Sequence, residues 1–388
     1  MTTNVEPPAA EDYNVAWICA LPDVELDPAR LMLDDDYDTP SSIDARWDDV
    51  QYFCGRMHDH RVVIACLPNG ESGNVNASRL TYALFRSFAN IKIALLVGIG
   101  GGVPRPSSKR DPLDEIYLGD VVVGWPDDGG DAVVYHDRGK ATANGRFEMR
   151  GHIPEPDWST KQALGSIKSN HRLGKTKFDD HLMRLNRLNG SAMPSRDQDY
   201  LFEAGYIHED PELTCESCDR SRLVTRPERS ENRFVFHMGR IATGNSVIKD
   251  AERRDKISKD CGGALCIEME AAGASVNRNI LVIRGISDYA DSHKNDKWQF
   301  HAAKNAAVFA RELLCTMRAS KVKAMEGPAR SAEIAIPTPK PEPESTPHSE
   351  NKPEAAGSPM YQTQGSPRDP KLKPLGTDGA VELPGSRP

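Results

Sequence analysis

Two short acidic segments carry residue types that could do chemistry. Glu268-Met269-Glu270 closes one apolar run and Ser287-Asp288 closes another. Carboxylates at the ends of buried strands can act as general acid, as general base, or as acceptors for a ligand's hydroxyls. Strand alternation points Glu268 and Glu270 to one face and Met269 to the other. Taken singly, Asp288 reads as a helix N-cap and each glutamate as a solvated strand end; on successive strand ends they read as a site. Asp23 and Glu25, just past the first apolar run, are candidates for a complementary base.

Gly98-Ile99-Gly100-Gly101-Gly102 is the third feature. It is not the dinucleotide fingerprint, because Val103 stands in the place of the third glycine and Pro104-Arg105-Pro106 forbids an immediate helix. No Lys-Ser or Lys-Thr follows, so it is not a P-loop either. Gly100 and Gly101 therefore mark a strand end where something approaches the backbone more closely than a side chain permits. Gly285-Ile286-Ser287-Asp288 is not a nucleophile elbow, since Tyr289 occupies the position that needs glycine. In Cys215-Glu216-Ser217-Cys218, zinc would need two further ligands, for which His208 and His237 are nearest. Two unligated thiols in a loop is the reading, and no metal or cofactor is assigned. His58-Asp59-His60 reads as an exposed turn.

These groups need elements to position them. Residues 15–20, 61–67, 93–97, 120–124, 234–241, 265–269 and 280–286 are apolar runs that predict strands. Helical spacing begins at Asn74, recurs around Phe178 to Leu188, and closes from about Trp298 to Arg318 with Ala302, Ala306, Phe309, Leu313 and Leu314 as a buried stripe. Apolar strands without alternation, separated by helices, imply an α/β fold whose largely parallel sheet is covered on both faces. Residues 1–12 read as a flexible N-terminus, 13–320 as one domain with a polar, insertion-rich middle at 139–233, and 321–388 as a disordered tail. That tail holds 13 of the 28 prolines and one aromatic, Tyr361, too little apolar surface to offset ordering entropy.

Composition narrows the class. The chain has 388 residues, 38% hydrophobic and 6% aromatic, with a net charge of -8. That charge argues against a nucleic-acid-coating protein, whose affinity comes from Lys and Arg on phosphates. The mean hydropathy of -0.56 fits one ordinary core plus unpacked sequence. Residues 1–14 hold Glu6, Glu11 and Asp12 and no apolar run, unlike a signal or transit segment. No window approaches the roughly 20 apolar residues of a membrane span. The eight cysteines sit mostly singly in apolar stretches, as buried free thiols do in a reducing compartment. The expectation is a soluble, cytoplasmic protein without a membrane partner.

Five motifs occur in order: Ile18-Cys19-Ala20-Leu21-Pro22, Val97 to Gly102, Thr243-Gly244-Asn245-Ser246-Val247-Ile248-Lys249-Asp250, Glu268 to Ala272, and Arg284 to Asp288. Together, over about residues 13 to 318, the chain resembles the purine and uridine phosphorylase superfamily. Its nucleosidase-like branch is the nearer likeness, with methylthioadenosine/S-adenosylhomocysteine nucleosidases and the phosphorylase-like domains of fungal immune-receptor-type proteins. The resemblance implies a three-layer α/β/α fold with a central mixed, largely parallel sheet. It implies cleavage of the N-glycosidic bond of an adenine-type purine nucleoside or nucleotide.

By motif position the resemblance gives Glu270 the ribose hydroxyls and places Met269 beneath the sugar, with Glu268 and Asn245 in the same binding motifs. Val247 and Ile248 would frame the base over the glycine floor of Gly100 and Gly101. Asp288 would protonate the purine N7, with Ser287 beside it and Arg284 supporting it from behind. Glu25 would activate the attacking water, although it fits only with a one-residue insertion, since Val24 holds the ungapped position. Uridine-type phosphorylases hold inorganic phosphate with an arginine before the glycine run and a threonine within it. Leu96 and Ile99 match those positions, so the resemblance favours hydrolysis over phosphorolysis, unless Arg79 or Arg105 substitutes. Some relatives cleave ATP, and Lys249, Arg253 and Arg254 could meet a 5′-phosphate chain, or form a solvated helix face. A phosphate-dependent phosphorylase and a catalytically weak nucleotide-binding signalling module remain the alternatives. Family members are often oligomers, so a homo-oligomer is implied as well.

Overall fold

The computed structural model describes residues 8–105, 111–188, 194–208, 214–229, 233–276 and 280–325. The strands are β1 Val15–Cys19, β2 Asp35–Tyr37, β3 Tyr52–Met57, β4 His60–Cys66, β5 Ile93–Gly102, β6 Val121–Gly124, β7 Val133–Tyr135, β8 Gly139–Ala141, β9 Phe147–Met149, β10 His152–Ile153, β11 Phe236–Gly239, β12 Ile241–Thr243, β13 Cys266–Glu268 and β14 Leu281–Asp288. Twelve of them join one mixed sheet, ordered β10-β7-β12-β13-β5-β1-β4-β3-β2, with β14 on β5 and β6 and with β11 beyond β6. The hairpin β8-β9 stands apart.

β5 is where the sheet forks. Its first half pairs in parallel with β1, the last pair being Ile18 with Leu96. β1 then ends, and the final glycines of β5 turn to β13, pairing antiparallel as Gly102 with Cys266 and Gly101 with Ile267. β14 runs along the other edge in parallel, with Arg284 opposite Gly98 and a bulge between Ile286 and Asp288. A crevice opens where neighbouring strands part, and ligands of α/β sheets lie in such crevices. The glycine run is therefore not a loop at a strand end but a strand in its own right.

Alternation along β1 builds both faces of the sheet. Ala16 and Ile18 join an apolar cluster with Leu80, Leu84 and Phe88. The first two belong to helix α2 (Asn74–Ser87), which follows the short α1 (Asp27–Leu31). Val15, Trp17 and Cys19 face the opposite cluster with Leu164, Ile167, Phe178 and Phe309. Those come from α3 (Trp158–Arg172), α4 (Phe178–Arg184) and, after α5 (Ala251–Asp260) and α6 (Ala271–Ala274), from α7 (Gln299–Thr316).

Several sequence expectations need correction. The run 234–241 is two strands, because the chain breaks at Arg240: β11 pairs with β6, and β12 passes to β7 and β13. The polar middle contains α3, whose N-cap Asp157 accepts from the amides of Ser159 and Thr160. α7 is not buried on one stripe alone, since Lys304, Asn305, Arg311 and Glu312 are buried too. α4 covers part of its outer side, where His181 meets Glu312 at 3.0 Å. Ala10–Asp12 form a 3-10 turn with Ala10 buried. A last helix, α8 (Ala319–Ala324), crosses the expected tail boundary at 321 and buries Val322. The rest of that tail, 326–388, and residues 1–7 lie outside the described residues. No helix among the described residues is long and apolar enough to cross a membrane.

Candidate active site

Glu25 rides on a π-type turn, Pro22–Leu26, directly after β1. Such a turn takes up one residue more than an α-helical turn, the length that the expected fit of Glu25 with a one-residue insertion calls for. Glu25 is buried, and its Oε2 accepts from the amides of Ala20 at 2.6 Å and Leu21 at 3.1 Å. Its Oε1 accepts from the amide of Ile99 at 2.9 Å. Asp23, the other candidate base, is exposed on the same turn.

Arg284 on β14 organises the second group. It is fully buried, and its Nη2 donates to Glu268 and, at 3.1 Å, to Glu270. Glu268 also accepts from the amides of Glu270 at 3.1 Å and Ala271. Glu270 receives the amide of Gly73 at 3.1 Å, from the entrance of α2. Burial works against the charge of Arg284, but Glu268, Glu270 and Glu25 outweigh it and raise its pKa. Burial raises Glu25 above the usual carboxylate range against the pull of Arg284 and of the three amides. It pushes Glu270 up to about 7, with Arg284 opposing and Glu268 assisting.

Asp288 ends β14. Its Oδ2 accepts from Ser287 Oγ at 2.7 Å and from Lys294 Nζ, and its Oδ1 from the amide of Ala290 at 2.9 Å. Ala290 sits in the left-handed region at φ 50°. Arg254 on α5 holds this turn from behind, donating to the Tyr289 carbonyl at 2.9 Å.

The glycines explain how these groups can converge. A Cβ on Gly98 would run into the carboxylate of Glu25 and stand 2.6 Å from Arg284 Nη1. One on Gly100 would meet Cys266 Sγ at 2.6 Å, and one on Gly101 would meet Ala290 Cβ at 2.9 Å. What approaches the bare backbone is the protein's own site.

A cavity of ≈ 220 Å³ opens at the fork, lined by Glu25, Gly100, Gly101, Val247, Ile248, Met269, Glu270, Arg284, Ser287 and Asp288. It is smaller than the usual ligand site of about 300–1,000 Å³, room for one compact molecule with any extension leaving through the mouth. Val247 is 57% exposed, at that mouth.

Three expected positions differ. Arg284 does not support Asp288; its guanidinium is engaged by Glu268 and Glu270, because Gly98 opposite leaves it room beside Glu25. Glu268 does not line the cavity but fixes Arg284 and the turn into α6. Asn245 is exposed and ties the amide of Asn74 at 3.1 Å to Asp137 at 2.6 Å. Leu96 is buried in the core, whereas Ile99 lines the cavity and gives its amide to Glu25. Neither Arg79, paired with Asp49, nor Arg105, at the Gly263 carbonyl, lines the cavity. Nor do Lys249, Arg253 and Arg254. Sequence reasoning missed Lys294 and Ser72, which do line it. Lys294 lies six residues past Asp288 in a polar stretch, where a lysine looks like surface.

A family profile described as the Phosphorylase superfamily matches residues 15–317. The chain belongs to that superfamily. A nucleotide-binding leucine-rich repeat (NLR)-like protein of Hyaloscypha variabilis is 35% identical over 339 residues, covering 85% of this chain and 31% of that protein. The ATP nucleosidase Cap17 of Escherichia coli is 26% identical over 248 residues, covering 63% of this chain and 39% of that protein. The chain thus spans less than two-fifths of the length of either relative. A solved 5′-methylthioadenosine/S-adenosylhomocysteine nucleosidase from Neisseria meningitidis, bound to methylthio-immucillin-A, superposes with a TM-score of 0.46 at 18% identity, covering 78% of this chain and 98% of that chain.

Proposed function

We propose that this superfamily member hydrolyses the N-glycosidic bond of an adenine-type purine nucleoside or nucleotide. The observation that carries the proposal is the convergence of three carboxylates, from the ends of β1, β13 and β14, on one small cavity. A purine anion is a poor leaving group, so Asp288 relays a proton from Lys294 Nζ, its ion-pair partner, to N7 as the bond from C1′ to N9 breaks. The sugar becomes oxocarbenium-like, and Glu270 holds its hydroxyls while Met269 lies beneath it. Glu25, whose pKa is raised by burial above the usual carboxylate range, takes a proton from water as that water adds to C1′. Val247 and Ile248 frame the base. The products are free base and the sugar with its 5′ substituent intact.

Two observations favour water over phosphate as the attacking group. Of the cations that line the cavity, Arg284 is committed to two glutamates and Lys294 to Asp288. An incoming dianion would meet Glu25 and Glu270 instead. The likeness to a protein named ATP nucleosidase supports including nucleoside triphosphates among the substrates.

A panel of adenosine, inosine, methylthioadenosine, AMP and ATP, with and without phosphate, tests the proposal by chromatography of released base. Free adenine without added phosphate is expected, falling by about 10²–10⁴-fold in Asp288→Asn. Strict dependence on phosphate would overturn hydrolysis. Binding without release from any member would leave a nucleotide-binding module instead.

A further inference from the structure

Cys215 and Cys218 take no part in the cavity chemistry. They flank a 3-10 turn, Cys215–Ser217, in which the amide of Cys218 donates to the carbonyl of Cys215 at 3.3 Å. His208 stands against this turn: the ligand atoms of His208, Cys215 and Cys218 all lie within 4.8 Å of one another. In a tetrahedral zinc site such atoms stand about 3.5–3.8 Å apart, so small side-chain rotations close the gap. The other candidate ligand, His237, is occupied elsewhere: its Nε2 is 2.9 Å from Asp120.

A second observation comes from a different part of the chain. His293 is 6% exposed, yet its Nε2 has no hydrogen-bond partner among the described residues, and neither does the buried Nδ1 of His208. The two rings stand edge to face at 5.1 Å. Buried imidazole nitrogens without partners are costly, and a metal held by His208 and the two thiols would satisfy one of them and draw the other in. The surroundings suit a thiolate as well. Asn295 Nδ2 points at Cys215 Sγ from 3.8 Å, the kind of outer hydrogen bond that steadies a metal-bound sulfur. Cys215 Sγ also sits 3.5 Å from the carbonyl of His293, so the proton it shares there is the one a metal would displace.

We infer that His208, Cys215 and Cys218 bind a zinc ion, with His293 as the fourth ligand. Two thiolates with two imidazoles select zinc over magnesium or calcium, which take oxygen ligands. The site is structural rather than catalytic, since none of its ligands lines the cavity. It joins the middle segment to the turn after β14. His293 precedes Lys294, which holds Asp288, so the metal fixes the backbone from which that contact is made.

The test uses the full chain without a histidine tag, expressed with zinc in the medium. Elemental analysis should find about one zinc per chain. Replacement by cobalt should give the intense visible and near-ultraviolet bands of a tetrahedral thiolate complex. Cys215→Ser, Cys218→Ser and His208→Ala should each lose the metal, and His293→Gln should weaken zinc retention against a chelator at least about 10-fold. Wild-type protein without zinc and without the cobalt bands overturns the site, whether or not any variant folds. So does a Cys215–Cys218 disulfide, or two thiols that titrate freely in the native chain. Unchanged retention in His293→Gln overturns its assignment as fourth ligand. The readout is metal content, so the outcome is independent of whether base is released.

Discussion

Glu270 shows how burial sets the behaviour of a single side chain. It accepts from Arg284 and from the amide of Gly73, both of which favour the carboxylate, yet burial outweighs them and holds its pKa near 7. A ribose hydroxyl is bound best by the ionised form, which accepts from two donors without a competing proton. The raised pKa means that the proton is already returning at neutrality. The affinity for a nucleoside should therefore fall as pH drops through about 7, with KM rising while kcat changes less. Glu270→Gln should bind more weakly at pH 8 and show a flat profile across this range. An acidic limb in KM that survives unchanged in the glutamine variant would assign the titration to another group. Glu25 differs from Glu270 in accepting from three backbone amides rather than one, and the bare Cα of Gly98 is what lets it approach Arg284.

At the scale of elements, the site depends on α2 and α6 docking closely, with no side chain on Gly273 to hold them apart. A Cβ on Gly273 of α6 would run into the backbone carbonyl of Asn74, while the amide of Gly273 donates to Asn74 Oδ1 at 2.8 Å. Backbone cannot give way as a flexible side chain does, so Gly273→Ala should push the start of α2 outward and break the bond from Gly73 to Glu270. The expected result is a loss of about 1–3 kcal/mol in stability and a larger rise in KM than fall in kcat. A variant that melts with the wild type and keeps its KM would show that the two helices are not coupled through this contact. The sequence makes β1, β4, β5 and β14 plain because each is an apolar run buried on both faces. It hides the fork, because the partners of Gly100 and Gly101 are Cys266 and Ala290, far along the chain and without a local signal. The same holds for Arg284, whose allegiance to Glu268 rather than Asp288 depends on which side of β5 it meets. α3 is hidden for another reason: only Thr160, Ala163, Leu164 and Ile167 are buried, so its stripe is diluted by polar residues.

For the molecule as a whole, the question is where its core stops. Composition changes at about residue 321, but packing continues past it: Val322 on α8 is 1% exposed and belongs to the cluster on the α7 face of the sheet, with Met325 against it. A chain cut after Ser320 loses this apolar cover, worth about 1.5–3 kcal/mol for one buried aliphatic side chain. A chain cut after Met325 keeps every described contact of that cluster. The shorter chain should therefore melt several degrees below the longer one, at about 2–4 °C per kcal/mol for a domain somewhat smaller than this. The longer chain should melt with the full protein. None of residues 321–325 lines the cavity, so both truncations should release base at the full-length rate well below their melting points. Thermal unfolding and base release measured on the same three preparations separate the two effects. Equal melting of both truncated chains would remove α8 from the core. A loss of activity in the chain ending at Met325 would instead give residues 326–388 a part in catalysis that the cavity gives no reason to expect.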